Sequence, residues 1–252
     1  MYKIPAKTLF TGQKLIYVPE CHSTNSSLAE LMSGTDLPEG TVLITDHQTQ
    51  GRGQRGNTWD SGQGLNLTFS LLLRPRFLAV RDQFQLSMAV ALGIAEGLGE
   101  QVPSGITLKW PNDIMSEGKK VGGVLIENQS QGPQLSVAIV GIGINVNQRE
   151  LPHPGAGSLI QVLGRETPLQ EILHTLLTAI EARYLQLRSG AHAIIQNDYH
   201  ARLHRVGVPQ TFEAEGKSFT GIIRGVDESG RLRVQEGDEE RVFALKEIRM
   251  VN

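Results

Sequence analysis

The chain has 252 residues, of which 39% are hydrophobic and 20% charged, and its 24 basic and 26 acidic residues give a net charge of −2. These values describe an ordinary globular protein with one large domain, or one domain plus a small one, and exclude a disordered chain. The near-neutral charge argues against nucleic acid or an anionic membrane as the main partner, and the single cysteine, Cys21, excludes an internal disulfide and suggests a reducing, cytoplasmic setting.

The chain up to about residue 204 is predicted to mix helices and strands. Residues 22–33 form the first predicted helix, because polar N-cap candidates precede apolar residues spaced three and four positions apart. Runs of β-branched and apolar residues predict strands, and longer patterns of helical period predict the other helices. The predicted strands cover residues 41–45, 65–73, 106–110, 121–127 and 135–146, and the further helices cover residues 80–99, 168–187 and 191–203.

From residue 206 the pattern changes to short alternating segments separated by polar turns, which predicts a small all-β module of about 45 residues. In the larger part, strands are linked mostly by turns rather than by helices. This arrangement predicts an α+β domain with a central mixed or antiparallel β-sheet flanked by helices. We therefore expect two domains, residues 1–204 and residues 205–252.

A polar, glycine-rich stretch, residues 46–64, is longer than structural connections usually are. Within it, residues 51–56 match the pattern G-x-G-x-x-G of dinucleotide-binding folds. That interpretation fails, because five polar residues separate the preceding strand from the first glycine and no apolar helix follows. Arg52 and Arg55 between the glycines, with Trp59 close by, favour an anion-binding loop over a flexible surface turn.

Three further clusters place polar or small residues at strands. Residues 109–113 (Lys-Trp-Pro-Asn-Asp) gather polar groups at a strand end, although ordinary turns use the same residue types. Residues 119–127 contain a glycine pair early in a strand, which weakens the strand unless something must come close. Residues 141–147 alternate glycines before an asparagine, and the glycines are expected to clear one face of the strand for a ligand.

Two weaker patterns do not predict a functional site. His200 and His204 have the i, i+4 spacing of metal ligands, but no third ligand is evident, so a solvated helix face is the prediction and no metal site is expected. No spacing recommends Cys21 as a nucleophile.

Together these segments resemble the biotin protein ligases, also called biotin–[acetyl-CoA-carboxylase] ligases. Five motifs in order, between about residues 15 and 150, make the resemblance highly specific, and the terminal β-module also fits. It implies a class II synthetase-like biotin/lipoate ligase fold with a small C-terminal SH3-like β-barrel. The matching pieces are Ser23-Thr24-Asn25, Gln48 with Gly51-Arg52-Gly53-x-Arg55-Gly56 and Trp59, Lys109-Trp110-Pro111-Asn112-Asp113, Lys120-x-Gly122-Gly123 ending in Glu127, and Gly141-x-Gly143-x-Asn145.

The resemblance implies a two-step reaction. The carboxylate of biotin attacks the α-phosphate of ATP, with Mg²⁺ on the nucleotide, and gives biotinyl-5'-AMP and pyrophosphate. A lysine of a biotin carboxyl carrier protein, part of a biotin-dependent carboxylase, then attacks the mixed anhydride and releases AMP.

The resemblance also implies roles for particular side chains. Lys120 and Arg52 would offset the charge of two anions brought together, and Asp113 would orient or deprotonate the carrier lysine, whereas Lys119 would take no part. The residues implied around biotin are Ser23, Thr24, Asn25, Gln48, Arg52, Gly53, Gln54, Lys120 and Gly123. Those implied around ATP and the adenylate are Arg52, Arg55, Trp59, Asn112, Lys120 and Asn145.

One position departs from the family, because Gln54 stands where many members have arginine. The adenylate is therefore expected to be held less tightly, unless Arg55 or the loop backbone compensates. The Ser-Thr-Asn motif begins at Ser23, so we expect no preceding winged-helix domain and no repressor function, and both a monomer and a homodimer remain open.

Two alternatives remain. A lipoate or octanoyl protein ligase would share the fold, although the R-G-x-x-W loop and the K-W-P-N-D cluster favour biotin. A non-catalytic ligand-binding protein would belong to another class, although the presence of Lys120 and Arg52 favours an enzyme.

Overall fold

A computed structural model of the chain describes residues 2–4, 7–103 and 105–251, and at Arg55 it describes the backbone alone. It contains a seven-stranded sheet flanked by helices, followed by a five-stranded antiparallel sheet. The predicted α+β class with a central mixed sheet and a small C-terminal SH3-like unit is therefore confirmed. Within the described residues, no helix has the length and apolar character that a membrane crossing requires.

The large sheet is mixed, because β1 and β2 run parallel while every other neighbouring pair runs antiparallel. The order across the sheet is β1-β2-β3-β7-β6-β5-β4. The strand β3 is buried at every position, because helices cover both faces of the sheet at its centre. The strands are β1 (Leu15–Cys21), β2 (Val42–Gln48), β3 (Leu67–Leu73), β4 (Thr107–Lys109), β5 (Asp113–Ser116), β6 (Lys119–Gln131) and β7 (Gln134–Ile144).

Helices lie on both faces of the large sheet. They are α1 (Thr24–Gly34), α2 (Phe84–Gly99), α3 (Leu159–Leu163), α4 (Leu169–Arg188) and α5 (His192–Ala201). On one face, α1 buries Leu28 against Leu43 of β2 and Leu72 of β3. On the other face, α2 and α4 cover the alternate residues of the same strands and form the main core. These two helices approach closely at Gly93, where a Cβ atom would lie 2.6 Å from the Cα of Ile180.

The second sheet is built from β8 (Pro209–Ala214), β9 (Lys217–Val226), β10 (Leu232–Glu236), β11 (Glu239–Phe243) and β12 (Ile248–Met250). Its strand order is β11-β10-β9-β8-β12. The predicted domain boundary at residues 204 and 205 falls in the connection between α5 and β8. We call residues 205–251 the C-terminal unit.

Side chains from the turn between β4 and β5 and from α5 attach the C-terminal unit. The buried indole of Trp110 donates from Nε1 to the carbonyl of Gly230 at 2.8 Å. The backbone N–H of Val226 donates to Nε2 of His200 at 3.0 Å. The predicted solvated face at His200 is therefore wrong, because this half-buried ring joins α5 to β9. His204 lies beyond the end of α5, with Nδ1 3.0 Å from the hydroxyl of Thr107.

Candidate active site

The predicted site residues converge on one cavity of about 290 Å³. Its wall combines the start of α1, the loop after β2, the turn between β4 and β5, and the facing strands β6 and β7. Twelve of the fourteen predicted site residues lie on this wall: Ser23, Thr24, Asn25, Gln48, Arg52, Gly53, Gln54, Trp59, Asn112, Asp113, Lys120 and Gly123.

A network of uncharged polar side chains forms the end of the cavity nearest α1. The backbone N–H of Thr24 donates to Oε1 of Gln48 at 2.7 Å, so a side chain of β2 caps this helix. The buried hydroxyl of Ser70 lies 2.6 Å from Oδ1 of Asn25 and 2.8 Å from the hydroxyl of Thr24. Nδ2 of Asn25 donates to Oε2 of Glu127 at 2.7 Å. These bonds fix each amide in one orientation, so the network presents its donors and acceptors in a defined pattern.

The glycine–arginine motif forms a small hairpin rather than a strand-to-helix turn. Arg52 and Thr58 form an isolated antiparallel bridge, and the N–H of Trp59 donates to the carbonyl of Gly51 at 2.9 Å. Glycine is required at position 51, because a Cβ there would lie 2.1 Å from the carbonyl oxygen of Trp59. The hairpin holds Nη2 of Arg52 2.9 Å from Oε2 of Glu127.

The glycines of β6 and β7 receive side chains of the protein itself. A Cβ at Gly143 would lie 2.4 Å from the indole ring of Trp59, and a Cβ at Gly141 would lie 2.5 Å from Oδ1 of Asn25. Gly141 and Gly143 both line the cavity, and the space that each leaves free is partly taken by a side chain that also lines it, Asn25 or Trp59. The indole Nε1 of Trp59 is buried and has no hydrogen-bond partner among the described residues.

Lys120 and Asp113, which both line the cavity, form an ion pair with Nζ 2.5 Å from Oδ1. The ammonium group of Lys120 also lies 5.9 Å from the centre of the Trp59 ring. Lys119, the neighbouring lysine, is exposed and packs its stem against Gly157 on the other side of the strand. The alternation of a β-strand thus directs one lysine of the pair into the cavity and the other away from it.

The two asparagines predicted at the nucleotide lie in different surroundings. Asn112 lines the cavity, and its Nδ2 donates to the carbonyl of Val124 at 2.9 Å. Asn145 is buried beyond the end of β7 and is not part of the cavity wall, since its Nδ2 donates to the carbonyl of Gly157 at 3.0 Å. Arg55 belongs to the short 3-10 turn of the hairpin, and its side chain lies outside the described part of the chain.

Several residues at the site carried no predicted role. Glu127 and Ser70 do not line the cavity, but both form hydrogen bonds to Asn25, which does. Glu127 ends one of the motifs, and Ser70 is a buried polar residue inside an apolar strand, so the sequence offered a signal for both. Leu245 and Lys246 reach the wall from the C-terminal unit, and no pattern in the sequence points to them. Cys21 is not on the wall, and burial raises the pKa of its thiol, which makes it a poor nucleophile.

A second hollow of about 340 Å³ adjoins the first. It lies between the start of α2, the Trp110 side chain and the turn around Gly230. The residues common to both walls are Gln54, Pro111, Asn112, Val124 and Leu245. The two hollows therefore border each other where the large sheet meets the C-terminal unit.

Comparisons with known proteins cover both units. A profile of the biotin/lipoate A/B protein ligase family matches residues 17–145, and a profile of the biotin protein ligase C terminal domain matches residues 211–252. The chain is 31% identical to the biotin–[acetyl-CoA-carboxylase] ligase of Mycobacterium tuberculosis, over 94% of this chain and 88% of that protein. It is also 31% identical to the bifunctional ligase/repressor BirA of Bacillus subtilis, over 92% of this chain and 72% of that protein.

Among solved structures, the biotin protein ligase from Aquifex aeolicus in complex with biotin and ATP is similar in fold and sequence. The two chains superpose with a TM-score of 0.80 at 30% identity, covering 95% of this chain and 99% of that one. The similarity therefore includes both the large sheet and the C-terminal unit.

Proposed function

Because this chain belongs to the biotin/lipoate A/B protein ligase family, we infer that it is an ATP-dependent biotin protein ligase. It forms biotinyl-5'-AMP and transfers the biotinyl group to a lysine of a biotin carboxyl carrier protein. The observation that carries this conclusion is the convergence of Arg52, Lys120 and the polar residues around Asn25 on one cavity.

The uncharged end of the cavity suits the ureido ring of biotin, which is neutral and rich in donors and acceptors. Thr24, Asn25 and Gln48 present oriented hydroxyl and amide groups there. A buried polar group of the ligand that found no partner would cost about 1–3 kcal/mol, so this arrangement selects for a ring that satisfies it.

Adenylation brings a carboxylate against the α-phosphate, and fixed cations are needed because the two anions repel each other. Arg52 and Lys120 supply these cations, and their carboxylate partners at 2.9 Å and 2.5 Å hold them on the wall. In the reaction, the carboxylate oxygen of biotin forms the new bond to phosphorus and pyrophosphate leaves. Positive groups that are already in place stabilise the charge of the transition state without reorganisation.

Transfer requires an unprotonated amine, so a proton acceptor must lie beside the mixed anhydride. We assign this role to Asp113, because its contact with Lys120 places a carboxylate next to the group that holds the reacting oxygens. The carrier amine attacks the carbonyl carbon of biotin, the bond to the phosphate oxygen breaks, AMP leaves, and the amine proton passes to Asp113.

The proposed function also implies a metal ion, a protein partner and a cellular location. Mg²⁺ would accompany the nucleotide, and it would offset the charge of the phosphates. The partner would be the carrier domain of a biotin-dependent carboxylase. A cytoplasmic location is supported by the single cysteine, which leaves no internal disulfide to form.

A lipoate or octanoyl ligase is the nearest rival, since the family profile covers both types of enzyme. Isothermal titration with biotin and with lipoate separates them. Biotin binding without lipoate binding supports our assignment, and the reverse result contradicts it.

The direct test is incubation of the protein with biotin, ATP, Mg²⁺ and a carrier domain, followed by the mass of the carrier. We expect a gain of one biotinyl group. Lys120→Ala should slow this gain by about 10²–10³-fold, which is the usual cost of losing one preorganised charged group. Lys119→Ala is the matched control and should keep wild-type activity, because Lys119 faces away from the cavity. Equal rates for the two variants would contradict the mechanism.

A further inference from the structure

We propose that Lys246, from the C-terminal unit, binds the phosphate groups of the nucleotide and supplies positive charge on the side of the cavity where Gln54 supplies none. The inference rests on the proposed ligase function and assigns a further substrate-binding residue to it.

The position of Lys246 is the first observation. Lys246 follows β11 in a turn that places it on the cavity wall, beside Leu245. Two hydrogen bonds between Glu247 and Ala244 stabilise this turn. The carboxylate of Glu247 accepts from the N–H of Ala244 at 2.7 Å, and the N–H of Glu247 donates to the carbonyl of Ala244 at 3.2 Å. The turn therefore holds Lys246 at the wall although the lysine lies outside the large sheet.

The backbone of Lys246 is the second observation. Its φ of +74° lies in the left-handed region, where glycine is favoured over residues with a side chain. Four non-glycine residues in the described part of the chain have positive φ: Glu117, Arg205, Glu215 and Lys246. Of these, Lys246 alone lies on the cavity wall. A lysine kept where glycine fits better is accounted for if its side chain has a use there.

The charge balance of the wall is the third observation. Arg52 and Lys120 each have a carboxylate partner, Glu127 and Asp113 respectively. Lys246 is exposed and, among the described residues, has no carboxylate within ion-pair distance. It is therefore a free cation at the cavity, available to an anionic ligand.

The neighbours of Lys246 indicate which part of the ligand it meets. Leu245 and Gln54 are both shared between the cavity and the adjoining hollow, whereas the biotin-binding residues around Asn25 belong to the cavity alone. Lys246 lines the cavity but not the hollow, and its neighbour Leu245 lines both, so Lys246 lies near the border between them and away from Asn25. Phosphate oxygens are the anionic groups that a lysine ammonium binds as a point charge.

The test is Lys246→Gly, which removes the charge and suits the backbone conformation. We expect the KM for ATP to rise by about fivefold at low salt, since exposed ion pairs are modest, and this difference should shrink as salt is added. Biotinyl-adenylate should dissociate faster from this variant. The KM for biotin should stay at the wild-type value. The melting temperature should be unchanged or higher, because glycine suits the backbone conformation. Lys246→Arg should retain most of the affinity for ATP.

Arg205→Gly is the matched control, because it also removes an exposed cation at positive φ, and Arg205 is not on the wall. It should leave the KM for ATP unchanged. Adding Gln54→Arg to Lys246→Gly should restore ATP binding, because the new cation lines the same cavity.

Three results would overturn the inference: an unchanged KM for ATP in Lys246→Gly, an equal rise in Arg205→Gly, or an effect confined to the KM for the carrier. The last result would assign Lys246 to carrier docking. ATP affinity is also measured by isothermal titration for the wild type, Lys246→Gly and Arg205→Gly. A wild-type protein that binds ATP but transfers no biotin would contradict the proposed function and still decide the role of Lys246.

Discussion

Among single residues, Glu127 connects the two kinds of group that the cavity needs. Its Oε2 accepts from Asn25 at 2.7 Å and from Arg52 at 2.9 Å. One carboxylate oxygen thus orients an uncharged amide and holds a cation on the wall. Glu127 is a positioning residue in this arrangement, because it acts through the two side chains that it holds.

We predict that Glu127→Ala raises the KM for biotin by about tenfold, which corresponds to about 1.4 kcal/mol and is less than a fully buried charged hydrogen bond would give. Glu127→Gln should have a smaller effect, because an amide oxygen can still accept from Asn25. Steady-state kinetics check both values.

Glu240→Ala is the control for Glu127, since Glu240 also pairs with an arginine on a sheet but lies in the C-terminal unit away from the cavity. It should leave the KM for biotin unchanged. A wild-type KM for biotin in Glu127→Ala would show that Asn25 and Arg52 need no common acceptor.

The sequence allowed prediction of most of the wall but not of how its members contact one another. Lys120 was distinguished from Lys119 by its place before the glycine pair, and the structure directs only Lys120 into the cavity. Asn145 has the residue type of a ligand contact, but its Nδ2 bonds to the backbone at Gly157. Lys246 was not predicted, because its position depends on contacts between residues far apart in the chain.

Among the elements, the pair α2 and α4 carries the core that supports the large sheet. Gly93 faces the backbone of α4, and the space for even one methyl group is missing there. Gly99, the last residue of α2, has nothing within 4 Å of the position that a Cβ would take. A side chain can therefore be added at Gly99 without a clash, whereas even a methyl group at Gly93 would collide with α4.

We predict that Gly93→Ala destabilises the protein by about 1–3 kcal/mol, because the added methyl group forces the helices apart and this outweighs the helix preference of alanine. Gly99→Ala should be neutral or stabilise by up to about 1 kcal/mol. Urea unfolding of both variants provides the measurement, and an equal effect of the two would contradict the close contact.

Long elements were predictable from periodicity, whereas several short or edge elements were not, although the short edge strand β4 agrees with the predicted strand 106–110. The predicted helix 168–187 agrees with α4, because its apolar residues recur at helical spacing along 20 residues. The edge strand β1 was missed, because it is half exposed and contains Pro19, which only an edge strand tolerates. β5 and β12 have four and three residues, too few to show an alternating pattern.

At the scale of the whole molecule, His200 contributes to the attachment of the C-terminal unit. Its Nε2 must be unprotonated to accept from the N–H of Val226. Burial lowers the pKa of His200, and the positive charge of Arg233 lowers it further. The unfolded chain therefore takes up a proton first as the pH falls, so this contribution to stability is present above the ordinary imidazole pKa of about 6.5 and is lost below it.

We predict that the melting temperature of the wild type falls more between about pH 7.5 and about pH 5.5 than that of His200→Gln, whose amide oxygen can accept the same bond without titrating. Burial also lowers the pKa of His204, but this residue is common to both proteins and cancels in the comparison. Parallel pH profiles for the two proteins would contradict the role of His200.

The placement of Leu245 on the cavity wall has a consequence for chimaeric proteins. Exchanging the terminal sheet between related enzymes would transplant a piece of the pocket along with it, so hybrids would inherit nucleotide preference from the donor of the tail. A bound adenylate would in turn contact both parts of such a hybrid and stabilise the interface between the large domain and the exchanged sheet.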